Sequence, residues 1–145
     1  MRLQDMGGAD FTEKITSSRQ NEEIIWRLDS NHIHALAIVD EDDPSFSTYF
    51  DDFEVREGDD LGWLGCFVGQ CASLTNLCIK NFHGDADQID KFLEGLNRNR
   101  SIQILTIEHD RGVEMLEGLS SFFLNNDSIC KLDMQNFDIG KAQGN

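Results

Sequence analysis

The chain of 145 residues sets 27 acidic side chains against 12 Lys and Arg, a formal charge of −15, with 39% hydrophobic residues. That length suits one domain with a continuous core, and the apolar content is too high for wholesale disorder. The acid excess argues against nucleic acid as a partner and against an anionic membrane surface, since both attract cations.

In chain order, the first twenty residues, opening MRLQDMGGADF, lack the apolar stretch of a secretory signal and read as a flexible tail. An intracellular, cytoplasmic setting is expected, with Cys66, Cys71, Cys78 and Cys130 as reduced thiols. By the same reasoning the sequons Asn99-Arg100-Ser101 and Asn126-Asp127-Ser128 are accidental. Ile24 and Leu28 then stand at helical spacing, ahead of HIHALAIVD with Ile33, Leu36 and Ile38.

Between Asp40 and Asp60 ten acids accompany one base, Arg56, and the only proline, Pro44. This window, residues 40–60, is expected to be a solvated surface insertion in the loop that leaves the first strand. Its aromatics, Phe46, Tyr49, Phe50 and Phe53, offer a second reading, a segment that docks on a basic partner or back on the domain. Leu61 to Ile79 is next, 19 residues without a charge and with a GxxxG at Gly65–Gly69. The length could span a bilayer, but Gln70, Ser73, Thr75 and Asn76 interrupt it, and it obeys a soluble repeat.

That repeat aligns Leu74, Ile102 and Ile129, at offsets of 28 and 27 residues. Three residues on come Leu77, Leu105 and Leu132; five on come Ile79, Ile107 and Met134. Behind lie Val68, Leu96 and Phe123 at minus six, Leu64, Phe92 and Leu119 at minus ten, and Leu61, Ile89 and Leu116 at minus thirteen. The backward steps of three and four trace one helix stripe, and the forward step of two traces one strand face. Each unit is therefore helix, turn, strand. In the turn, at minus three, Cys71, Asn99 and Asn126 are placed to bond orphan backbone groups. Helices are expected to begin after Asp59 and Asp60 and near Asp87. The segment around Ile33 is an earlier, degraded copy, 41 residues upstream of Leu74.

The pattern LxxNxxLxxLxL in LNRNRSIQILTI and FLNNDSICKLDM resembles the leucine-rich repeat family, ribonuclease-inhibitor-like subtype, and GDDLGWLGCFVGQCASLTNL is similar to members of large algal repeat families. The resemblance covers residues 21–140 and leaves a C-terminal tail at 141–145. It implies an α/β solenoid, a short right-handed horseshoe arc of about four helix–strand units with a parallel sheet on its concave face. It also implies a non-catalytic module that binds a protein partner, with no cofactor. One departure stands out: where the family places an asparagine or cysteine eight residues after the first leucine, this chain has Phe82, Asp110 and Phe137. That turn must be packed or bonded in another way.

Strand alternation assigns the side chains that face the hollow: Asn76, Cys78 and Lys80; Ile104, Thr106 and Glu108; Lys131, Asp133 and Gln135. Neighbouring parallel strands turn these into columns about 4.8 Å apart, with Lys80 and Glu108 expected as an exposed ion pair. The chain offers rivals to recognition. His32 and His34, two apart on a strand and followed by Asp40, could share a zinc in a metal-dependent hydrolase. Asp40-Glu41-Asp42-Asp43 could attract calcium, but lacks the turn glycine and closing glutamate of an EF-hand. Arg98, Arg100 and Arg111 sit in turns where a small-GTPase regulator would present an arginine. His83 and His109, in turns after strands, are expected to be solvated. Phe137 and Ile139 are expected beside an uncapped C-terminal end that favours self-association or a longer array.

Overall fold

The computed structural model describes residues 19–40, 48–55, 61–82 and 86–134. The tail at 1–18, Glu41, Asp42, Asp43, His83, Gln135, Phe137, Ile139 and the last residues lie outside this set. In chain order the elements are α1 (Arg19–Asp29), β1 (Ala35–Asp40), β2 (Asp51–Val55), α2 (Leu61–Gln70) and β3 (Asn76–Lys80). There follow α3 (Ala86–Leu96), β4 (Ile104–Glu108), α4 (Gly112–Gly118), α5 (Ser120–Asn125) and β5 (Lys131–Met134). The architecture is α/β, with one five-stranded parallel sheet in the order β2-β1-β3-β4-β5.

Leu36, Leu77, Leu105 and Leu132 lie side by side across four strands, as do Ile38, Ile79, Ile107 and Met134. The repeat spacing is therefore the sheet register. One cluster holds Leu36, Ile38, Leu77, Ile79, Leu105 and Ile107 together with Ile24 and Leu28 of α1, Leu64 of α2 and Phe92 of α3. The helical layer thus covers a single face of the sheet, and the apolar stripe of each helix is what seats it there.

The sheet departs from chain order at one point, and this corrects the expectation of a solvated insertion at residues 51–55, which dock back on the domain as the second reading had it. Residues 41–47 and 56–60 lie outside the described set. Residues 51–55 are a strand that pairs in parallel with β1 on the side away from β3. Alternation explains it: Phe53 and Val55 fall on the core face, 1% and 5% exposed, while Asp51, Asp52 and Glu54 stay half-buried. α1 then seals the outer edge of β2. Asn21, fully buried, donates its Nδ2–H to Glu54 O at 2.8 Å and accepts from Glu54 N–H at 3.0 Å. Gln20 donates to Asp52 O, and Arg27 pairs with Asp51 at 3.0 Å. Residues 51–55 of the acidic window supply a sheet edge.

The uncharged stretch from Leu61 divides into α2, a turn and β3, and among the described residues no helix is long and apolar enough to cross a membrane. Its glycines act at a helix–helix contact instead. A Cβ on Gly65 would lie 2.4 Å from Phe92 O, one on Gly69 2.2 Å from Gly95 O, and one on Gly95 2.4 Å from Gly65 C. α2 and α3 therefore touch backbone to backbone, which only glycine permits.

The third unit slips in phase. The repeat predicted Leu116, Leu119 and Phe123 inward, whereas Met115, Leu119 and Phe122 are buried and Leu116 and Phe123 are half-buried. The helix is broken into α4 and α5 around Leu119, which rotates the inward stripe by a residue on either side of the break.

Candidate protein-interaction surface

On the face opposite the helices the predicted columns exist. Asn76, Ile104 and Lys131 are in register, as are Cys78, Thr106 and Asp133, and Lys80 lies beside Glu108. Gln135 lies outside the described residues. β1 and β2 continue the face with Ala35 beside Asn76, and with Ala37 between Cys78 and Asp52, but Ala37, Val39 and Cys78 are buried there with Phe50 packed against them. Reading 51–55 as loop hid Asp52 and Glu54 from the sequence-based face.

One electrostatic expectation changes here. Lys80 and Glu108 form no ion pair; the Glu108 carboxylate accepts instead from Cys78 Sγ at 3.9 Å. Burial, reinforced by the Glu108 charge, pushes the Cys78 thiol up to about 12. At neutral pH it is a thiol, not a nucleophilic thiolate. All four cysteines are free.

A ladder of side-chain hydrogen bonds in the turns leading into the strands holds the columns in register. Asn99 Nδ2 donates to Val68 O at 2.8 Å and Cys71 O at 3.1 Å, and its Oδ1 accepts from Ser101 N–H and Ile102 N–H at 2.7 and 2.8 Å. One unit later Asn126 Nδ2 donates to Asn99 O at 2.8 Å and Oδ1 accepts from Ser128 N–H at 2.8 Å. The serines form a second rail: Ser73 Oγ donates to Ile33 O, Ser101 to Leu74 O and Ser128 to Ile102 O, at 2.6, 2.6 and 2.8 Å. The turn asparagines were legible from their spacing; the serines were missed, although Ser73, Ser101 and Ser128 precede Leu74, Ile102 and Ile129 without exception. The two sequons are this ladder, and their asparagines are 0% and 6% exposed.

The turn after β4 is closed differently, and His109 corrects the expectation of a solvated side chain. It is 2% exposed, edge-on to the Phe82 ring at 4.8 Å, with Nε2 donating to Phe82 O at 3.2 Å and Nδ1 accepting from Arg111 N–H at 3.1 Å. The Phe82 ring and the His109 imidazole thus close this turn by packing and one hydrogen bond. Burial lowers the His109 pKa below its ordinary 6.5.

The remaining candidates lie apart. His32 and His34 are exposed in the turn before β1, where His32 Nδ1 lies 3.0 Å from Ser30 Oγ and His34 Nδ1 lies 3.3 Å from Ser73 O. Among the described residues no group of three or more His, Cys, Asp or Glu is arranged to hold a metal ion. Arg100 donates to Asn97 O and Asn99 O, and Arg111 pairs with Glu114 at 3.0 Å. Arg98 lines a shallow cleft of about 290 Å³ on the helical side with Trp63, Cys66 and Lys91, away from the columns.

Compared with models of protein families, with curated proteins and with solved structures, the chain has no match.

Proposed function

We propose that this chain is a short leucine-rich-repeat solenoid of the ribonuclease-inhibitor-like kind, acting in the cytoplasm as a non-catalytic module that binds a protein partner on its open strand face. The observation that carries the reading is the register. Positions three and five residues beyond Leu74 and Ile102 turn into the sheet core, and Leu132 and Met134 continue their rows at the edge, so the intervening positions become the columns Asn76–Ile104–Lys131 and Cys78–Thr106–Asp133. Such a face mixes a half-exposed apolar side chain, Ile104, with hydrogen-bonding and charged neighbours, the composition of a recognition patch with a polar rim. Parallel sheets are commonly covered on both faces; here the helices take one and Phe50 packs over Ala37, Val39 and Cys78 on the other, which leaves the stretch around Ile104 and Lys131 for a ligand.

The test uses the intact protein and Ile104→Glu as paired baits in affinity purification, followed by binding titration of the protein recovered. Loss of a central apolar anchor weakens binding by roughly thirtyfold or more, while Ile104→Glu shifts unfolding stability by less than about 1 kcal/mol because the side chain is already half-exposed. Equal capture by both baits would overturn the assignment of this face.

A further inference from the structure

The two edges of the sheet are treated differently. The β2 edge is closed by Asn21, Gln20 and Arg27 of α1. At the other end, β5 pairs with β4 alone, and no described residue lies beyond it in the sheet. An open edge is a template for another strand. The apolar interior is also open here: Leu132 is 40% exposed, although its counterparts Leu36, Leu77 and Leu105 are all at 0%. Leu124, on the helix just before β5, is 83% exposed.

The backbone of β5 fixes what can be added. Lys131 N–H donates to Gln103 O, so the polar backbone groups of Lys131 and Asp133 point at β4. By alternation the N–H and C=O of Leu132 point outward. An antiparallel strand pairs with such an edge by exchanging both bonds at one residue. If that partner is another β5 and the two-fold passes through Leu132, then Leu132 faces Leu132 of the copy. One residue either side, Lys131 faces Asp133 of the copy and Asp133 faces Lys131. The strand Lys131-Leu132-Asp133 is thus self-complementary in charge only in the antiparallel sense, and it brings the exposed leucines together on the helical side. A head-to-tail filament would need the β2 edge, which α1 occupies.

We propose that β5 is the homodimerisation edge, with two copies joining through an antiparallel β5–β5 pair centred on Leu132 to form one ten-stranded sheet. The contact is isologous and therefore closes at two subunits. It does not depend on the recognition face having a ligand.

Sedimentation velocity over a wide protein concentration range reads the assembly state of the full chain, the charge-reversal variants Lys131→Asp and Asp133→Lys, and the double variant. The wild type is expected to pass from monomer to dimer and no further. Each single reversal sets like charges opposite one another twice across the two-fold, and is expected to raise the dissociation constant roughly tenfold or more. The double variant restores opposite charges in every pair and is expected to recover the dimer. A wild type monomeric throughout, open polymers, single variants as dimeric as wild type, or failure of the double variant to recover would each overturn the proposal. Because the readout is subunit mass, failure here leaves the partner-binding test of Ile104 intact.

Discussion

His109 shows how much one side chain can couple a turn to its surroundings. Its neutral tautomer, with hydrogen on Nε2, satisfies Phe82 O and the Arg111 N–H at once. Protonation would put a hydrogen on Nδ1 facing that N–H, and the site is buried. The folded pKa is therefore depressed below the unfolded 6.5. Above pH 6.5 neither state binds the proton; as pH falls below 6.5 the unfolded chain takes it up first, so stability declines toward the folded pKa. Urea unfolding at pH 7.5 and 5.5 should show a loss in the wild type that is smaller in His109→Gln. Asn99 is a structural counterpart. It joins two carbonyls and two N–H groups while wholly buried, so Asn99→Ala takes the acceptor from the Ser101 and Ile102 N–H groups, while Val68 O and Cys71 O keep Cys71 N–H and Ser101 Oγ as donors. A cost of about 2–4 kcal/mol in unfolding free energy is expected.

At the scale of elements, the helix pair α2–α3 sets opposing effects against each other. Alanine is favoured over glycine within a helix by about 1 kcal/mol. At Gly65, however, the added Cβ would meet Phe92 O at 2.4 Å, and backbone cannot move aside as a side chain can. Overpacking costs typically 1–3 kcal/mol, and here the helices themselves must part, so the steric effect wins. Gly65→Ala should lower the unfolding midpoint, with helical content retained by circular dichroism. β2 offers the matching experiment for a strand. Were residues 40–60 a solvated loop, Phe53→Ala would change little. With Phe53 at 1% exposure in the common core, a loss of about 3–5 kcal/mol is expected in the same urea assay.

For the whole molecule, the parts legible in the sequence were those with a period. Spacings of three and four located α2 and α3, spacings of two located β3, β4 and β5, and the 27- and 28-residue offsets gave their register. The illegible parts lacked a second copy to compare with. β2 occurs once, its alternation of Phe53 and Val55 lies among acids, and its place beyond β1 breaks chain order. His109 resembled any turn histidine until Phe82 of the preceding unit was seen to cover it. The open face was readable because alternation is local; its β2 contribution was not.

The asparagine and serine rails have a direction. Asn99 and Ser101 reach back to Val68, Cys71 and Leu74, Asn126 and Ser128 reach back to Asn99 and Ile102, and Ser73 reaches back to Ile33. The units overlap like roof tiles, each fastened by the next. During synthesis on a ribosome, a freshly emerged turn stays wet until its successor arrives. Shortening the chain from its carboxyl side should therefore loosen the unit before the cut as well as delete the one after it.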